Sequence, residues 1–130
     1  MATIEATFRT IPGTQAAEGH SGGHRVVVDR PAGVAGGRGS GLNGGQLLAL
    51  AIGGCLANDV RYVAAEREID IEDIEVDVDV TVDNGTVSSA AVKIGIAASD
   101  QVDSDALARE AVSVSTVVSA LREGFPISIR

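Results

Sequence analysis

Alternation of hydrophobic and polar residues is strongest over residues 74–82, where every apolar side chain is followed by a polar one. This period of two is typical of a strand with one face buried and the other in solvent. Asn84-Gly85, the preferred pair for a tight turn, follows directly, and residues 90–96 resume the alternation. The chain is therefore predicted to form a β-hairpin here, with its acidic residues on the solvated face.

Two further strands are predicted near the N-terminus. Residues 2–11 alternate, residues 24–29 form a β-branched run, and we expect these two segments to pair as a hairpin. Residues 31–45 follow as a glycine-rich loop with almost no apolar side chain to bury. Residues 125–129 predict a short last strand, which the proline within them confines to a sheet edge or a strand start.

The pattern becomes helical at Asn43. Asn43 can cap a helix and Gln46 stands three residues on, which is the spacing of a capping box, so one long helix is predicted over residues 46–68. Its apolar residues surround most of its first half, which indicates a buried central helix. A second helix is predicted over residues 103–121, with a break near Ser113 and a glycine as its stop.

Composition and charge narrow the functional classes. Chain length predicts one domain over residues 1–130, and a hydrophobic content of 45% with 2% aromatics predicts an aliphatic core. The formal net charge of -8 repels phosphate backbones and anionic lipids, so neither nucleic acid nor a membrane is expected as a partner. A single cysteine and a start without a basic segment and apolar run predict a cytoplasmic protein.

No metal and no other cofactor are expected. His20 and His24 lie on a glycine-rich turn and have only Cys55 as a further soft ligand. The acidic residues of the 74–82 strand lack the glycine-turned loop that calcium sites use. The glycine-rich loop lacks the Gly-Lys-Ser/Thr ending of a phosphate-binding loop, so plain backbone is the better interpretation.

Cys55 is the residue that could carry chemistry. A single cysteine on the apolar side of a helix is more often an inert core residue than a nucleophile. The two glycines before it would open room beside the sulfur, and an apolar pocket around a thiol suits a hydrophobic electrophile. Asp59, one turn on, disfavours a thiolate, so activation needs a cation, and Arg30 and Arg38 are the nearest candidates in sequence.

Several segments occur in a characteristic order: the glycine-rich loop, Asn43, Gln46-Leu47-Leu48, Gly53-Gly54-Cys55, Asp59-Val60-Arg61 and the ending LREGFPISI. In this order they resemble the OsmC/Ohr family of thiol-dependent hydroperoxide reductases, over nearly the whole chain. The resemblance implies an α+β fold in which strongly curved antiparallel sheets surround a long central helix. It also implies an intertwined homodimer with active sites at the interface.

The resemblance also implies the chemistry of individual residues. In the family a helix cysteine attacks the peroxide, and a second cysteine resolves the sulfenic acid into a disulfide that an external dithiol reduces. Cys55 matches the attacking position, and Ser115 stands in the place of the second cysteine. Gly44 and Gly45 stand where the hydroperoxide-resistance branch has a proline and an acidic residue, and its upstream arginine is missing from residues 14–18.

Two functions remain open. The leading one is a homodimeric, one-cysteine hydroperoxide reductase in which Cys55 attacks an organic hydroperoxide and an external dithiol resolves the sulfenic acid. Arg30 or Arg38 would then activate the thiolate. The alternative is a non-catalytic binder of a small apolar ligand, in which Cys55 serves packing. A substitute arginine close to the sulfur would favour the enzyme, whereas the missing second thiol and carboxylate favour the binder.

Overall fold

The structure is a computed structural model that describes residues 1–130. Its elements are β1 (Thr7–Thr10), β2 (Ala17–Ser21), β3 (His24–Val28), α1 (Gly44–Glu66), β4 (Ile71–Asp83), β5 (Thr86–Ala98), α2 (Ser104–Val114) and α3 (Thr116–Glu123). Two antiparallel sheets and three helices confirm the predicted α+β class. The chain divides into two compact units, Met1–Leu47 and Leu48–Arg130, and each is described by itself. One domain over the whole chain stays a prediction from length.

The N-terminal unit is a three-stranded sheet in the order β1-β2-β3. The prediction that the first strand pairs directly with residues 24–29 is wrong, because β2 lies between them and pairs with both. β2 lacks the apolar alternation that marks a strand in sequence, and its Gly19 lies against the ring of Phe8, which would overlap any Cβ there. β1 is also shorter than predicted, since its pairing starts at Thr7.

Asn43 and Gln46 form the predicted capping box at the start of α1. The Asn43 backbone N–H donates to Gln46 Oε1, and the Gln46 backbone N–H donates to Asn43 Oδ1, both at 2.9 Å. Two donors that a helix start leaves unpaired are thereby satisfied. α1 begins two residues earlier than predicted, at Gly44, and ends at Glu66.

The second unit contains the predicted hairpin, β4 and β5, which extends further in both directions than the alternation indicates. Asn84 and Gly85 at its turn have φ of 50° and 76°, the left-handed conformations that a tight hairpin requires. The aliphatic face of the hairpin, including Ile74 and Ile94, packs on a helical core cluster. That cluster consists of Val60, Val63, Ala64, Leu107 and Ala111.

Two helices, α2 and α3, occupy the segment predicted as one interrupted helix. Asp103 caps α2 by accepting the backbone N–H of Ala106 at 3.0 Å. The break falls at Ser115 rather than near Ser113, because Ser115 adopts an extended conformation with φ of -67° and ψ of 118°. Gly124, with φ of 76°, ends α3 as predicted.

Residues 125–130 do not form the last strand that their alternation predicts. No strand of the chain pairs with them, and the side chains of Phe125, Ile127 and Ile129 are exposed. A strand needs hydrogen bonds from a neighbour, so an alternating sequence alone does not produce one.

Candidate active site

Cys55 lies on α1 and its side chain is half-buried. Its thiol donates a hydrogen bond to Asp59 Oδ2, with sulfur and oxygen 3.3 Å apart. Residues four apart on a helix are neighbours on one face, so the helix itself sets this contact. Asp59 is 8% exposed, and Cys55 is the sole partner of its carboxylate. The only thiol of the protein is thus paired with a buried carboxylate.

The structure brings Ser115 to the same sulfur. The Ser115 hydroxyl oxygen lies 3.5 Å from Cys55 Sγ, across 60 residues of sequence, and Ser115 is 1% exposed. The break between α2 and α3 positions this hydroxyl, because Ser115 is also the N-cap of α3 and accepts the Val118 backbone N–H at 3.3 Å. With its oxygen accepting that bond, the hydroxyl hydrogen points to the thiol.

The two glycines before Cys55 have different surroundings. A Cβ at Gly53 would lie 3.2 Å from Val78 Cγ2, so glycine at this position allows β4 to approach α1 closely. A Cβ at Gly54 would meet nothing within 4 Å. The expectation that both glycines open room beside the sulfur is therefore wrong for Gly53, whose missing side chain leaves space that Val78 already fills.

An apolar groove of about 460 Å³ lies in the same unit. Leu48 and Ile52 of α1 line it, and Ile52 precedes Cys55 by three residues. Val118 and Arg122 of α3 line it as well, and the Arg122 guanidinium makes no hydrogen bond or ion pair. Sequence reasoning missed Arg122, because a basic residue near a helix end reads as an ordinary dipole-compensating charge. The groove can hold a small apolar molecule beside a cation.

Arg30 and Arg38, the predicted thiolate activators, both lie in the N-terminal unit around Asp29. Asp29 accepts hydrogen bonds from the backbone N–H groups of Arg30, Arg38 and Ser40 and from the Ser40 hydroxyl, at 2.7 to 3.1 Å. The Ser40 hydroxyl first, then these backbone donors, hold the pKa of Asp29 well below its usual range. The carboxylate therefore folds the glycine-rich loop back onto the end of β3.

The two arginines differ in what holds their side chains. Arg30 Nη2 donates to the Gln15 carbonyl oxygen at 2.6 Å and lies 3.3 Å from Asp29 Oδ1. The Arg38 side chain is exposed and makes no hydrogen bond or ion pair. Arg38 is thus the less constrained of the two cations.

Metal binding and membrane insertion are two further properties on which the structure bears. No group of three or more His, Cys, Asp or Glu side chains could hold a metal ion, and His20 Nε2 lies 2.6 Å from Glu18 Oε1 in a surface pair. By length and composition α1 could cross a membrane, a test that the core helix of a soluble protein also passes.

Solved structures of similar fold are numerous. The organic hydroperoxide resistance protein OsmC of Legionella pneumophila superposes with a TM-score of 0.69 at 21% identity, covering 95% of this chain and 91% of that one. The OsmC-like protein of Mycoplasma pneumoniae has a TM-score of 0.77 at 12% identity, covering 95% and 89%. An organic hydroperoxide resistance protein of Elizabethkingia anophelis has a TM-score of 0.61 at 19% identity, covering 95% and 91%. At these identities the likeness shows the fold.

Comparison of sequences identifies the family. No curated protein matches the chain. The model of the OsmC-like proteins matches residues 37–130, which include all of α1, the β4-β5 hairpin, α2 and α3. Because this match covers well over half of the chain, the resemblance found in the sequence is confirmed, and the protein belongs to the OsmC-like family.

Proposed function

We propose that the protein is a one-cysteine hydroperoxide reductase in which Cys55 is the nucleophile. The observation that carries the proposal is the setting of the only thiol. Cys55 is half-buried between a carboxylate at 3.3 Å and a hydroxyl at 3.5 Å, in the unit that holds the apolar groove. Two proteins that share its fold, from Legionella pneumophila and Elizabethkingia anophelis, are organic hydroperoxide resistance proteins.

The reaction has two stages. The Cys55 sulfur attacks the terminal oxygen of an organic hydroperoxide, the S–O bond forms, the O–O bond breaks, and an alcohol leaves. The resulting sulfenic acid is then attacked by one thiol of an external dithiol, which releases water and leaves a mixed disulfide. The second thiol of that dithiol attacks the mixed disulfide and frees Cys55.

An external reductant is needed because Cys55 is the only cysteine. Ser115 stands beside the sulfur, where a second thiol would be able to close an internal disulfide, and a hydroxyl cannot form that bond. We therefore propose Ser115 as the counterpart of the resolving cysteine that the family pattern implies. The dithiol has to reach Cys55 from solvent, which its half-buried position allows.

Thiolate activation is assigned to an arginine. A guanidinium beside a thiolate favours the charged form and cannot lose its own proton at cellular pH. We propose Arg38 ahead of Arg30 for this role, because the Arg38 side chain is free of partners whereas Arg30 is held by Gln15 and Asp29.

Assembly as a homodimer is part of the proposal. Leu50 and Tyr62 on α1 are 58% and 68% exposed. The C-terminal segment adds three exposed apolar side chains, those of Phe125, Ile127 and Ile129. Exposed apolar surface of this kind marks an interface, and a second copy of the chain is the partner that the family pattern implies. With one unpaired cysteine, we place this protein in the cytoplasm.

The groove favours a second candidate function, namely binding of a small apolar ligand without chemistry. Its apolar lining does not need a reactive thiol, and Cys55 lacks a second cysteine. The two candidates differ in one property, because only the reductase oxidises Cys55 with hydroperoxide.

Dimedone trapping tests the proposal. The purified protein is mixed with cumene hydroperoxide or with hydrogen peroxide, and the sulfenic acid on Cys55 is trapped and counted by mass spectrometry. We expect adduct formation faster with cumene hydroperoxide, because the groove in the same unit has an apolar lining, and none in Cys55→Ser. Trapping no faster than for free cysteine would reject the reductase and leave the ligand binder.

A further inference from the structure

We propose that Asp59 is a second catalytic residue, which accepts the proton of the Cys55 thiol and passes it to the leaving alkoxide. This inference rests on the proposed reductase function. The pair stands out because Asp59 is a buried carboxylate whose only partner is the thiol.

The Asp59 carboxylate has few hydrogen bonds within the protein. Asp59 is 8% exposed, and the one donor that its carboxylate meets in the protein is weak, the S–H group of Cys55. Asp29 shows the contrast within this chain, since four hydrogen bonds satisfy its buried carboxylate. Asp59 therefore retains the capacity to accept a proton, and the group that offers one is Cys55.

The geometry suits general base catalysis. Asp59 Oδ2 lies 3.3 Å from the sulfur, within hydrogen-bond reach of the proton that has to be removed. The Ser115 hydroxyl also contacts the sulfur, at 3.5 Å, and carries no charge. The ion pair of this unit, Arg67 with Glu110, involves neither Cys55 nor Asp59. Among the groups that make hydrogen bonds with the thiol, Asp59 is thus the one that can act as a base.

The thiol proton is then transferred twice, first to Asp59 and then to the leaving group. As the sulfur attacks the terminal oxygen of the hydroperoxide, the S–H proton moves to Asp59, the S–O bond forms and the O–O bond breaks. The leaving alkoxide takes the proton from Asp59 and departs as an alcohol. A thiol and a hydroperoxide give a sulfenic acid and an alcohol, and Asp59 returns to its carboxylate form.

This path distinguishes hydroperoxides from other electrophiles. The Cys55 thiol donates its hydrogen bond to Asp59, so a reaction that also has to protonate its leaving group gains most from this pair. A hydroperoxide gains from Asp59 twice, once by loss of the thiol proton and once by protonation of its alkoxide. Iodoacetamide expels iodide, which needs no proton, and gains no such second benefit.

The test compares Asp59→Asn with the wild type against two electrophiles at pH 7. We expect sulfenic acid formation with cumene hydroperoxide to fall about 100-fold or more, in the range of general acid-base catalysis. Alkylation by iodoacetamide should stay level or rise, since the repelling charge is gone. Asp79→Asn, which removes an exposed carboxylate from β4, is the matched control and should change neither rate.

A hydroperoxide rate that is unchanged or faster in folded Asp59→Asn overturns the inference and leaves the proposed reductase intact. Absence of sulfenic acid in the wild type removes both. The wild-type pH profile supplies a second test that needs no variant. A hydroperoxide rate that is level between pH 6 and 8 while the iodoacetamide rate rises with pH supports proton transfer to Asp59. A hydroperoxide rate that rises about tenfold per pH unit, or level rates with both reagents as for a thiolate formed before attack, overturns it.

Discussion

Substitution of Ser115 by cysteine places a second thiol beside Cys55 and should create an internal disulfide. The two side-chain atoms are 3.5 Å apart in the structure, and a disulfide brings them to about 2.05 Å, a small adjustment for two side chains. Under mild oxidation the variant should lose two hydrogens in each chain, and a dithiol should restore both thiols.

The stability gain can be worked from the separation in sequence. Closing a loop between residues 60 apart removes unfolded-state entropy worth about 4 kcal/mol in the chain-entropy model. The variant also loses the hydroxyl that accepts the Val118 backbone N–H, which costs about 1 kcal/mol as a helix cap. The free energy of unfolding should therefore rise by about 3 kcal/mol, and the midpoint of thermal unfolding by on the order of 10 °C.

The assay is thermal unfolding of the oxidised and the reduced variant beside the wild type. The reduced variant should fall about 1 kcal/mol below the wild type, and Ser115→Ala, which lacks both the cap and the thiol, should match it. Two thiols that stay free after oxidation, or that join only between chains, would refute the placement of Ser115 at Cys55. The assignment of Cys55 as nucleophile does not depend on that result.

Three further predictions follow from other parts of the structure. Light scattering at micromolar concentration should report a homodimer, and a folded monomer would contradict the proposed assembly. Asn43→Ala should lower the free energy of unfolding by about 1 kcal/mol in denaturant melts, because it removes half of the capping box. The lowered pKa of Asp29 makes its stabilisation complete above about pH 4 and lost as the pH falls further, so the stability difference between wild type and Asp29→Asn should shrink in acid, and a constant difference would contradict it.

Local signals in the sequence predicted the elements that local interactions determine. The β4-β5 hairpin depends on strict alternation and on the Asn84-Gly85 turn, and the start of α1 on two side chains three residues apart. Elements that depend on a neighbour were missed or misassigned. β2 is a strand because β1 and β3 flank it, and residues 125–130 alternate without a strand to pair with.

In the candidate site, too, the sequence predicted the features that depend on local spacing and missed those that depend on the packing of separate elements. Cys55 stood out as the only thiol, and its contact with Asp59 follows from helical spacing. The proximity of Ser115 to the sulfur depends on where the helix breaks, two residues beyond the predicted position. Arg122 could not be assigned to a groove, because three separate elements build it. The periodicity of a sequence indicates which face of a helix or strand is buried. It does not indicate which other element packs against that face.

Catalytic turnover of organic hydroperoxide by Cys55 can be measured as peroxide consumption over many turnovers. The purified protein is mixed with an excess of cumene hydroperoxide and a small dithiol, and the remaining peroxide is followed with time. We expect the wild type to consume many equivalents of peroxide per chain and Cys55→Ser to consume none above background. Without the dithiol, consumption by the wild type should stop after about the first equivalent. Equal consumption by wild type and Cys55→Ser would contradict catalytic turnover by Cys55.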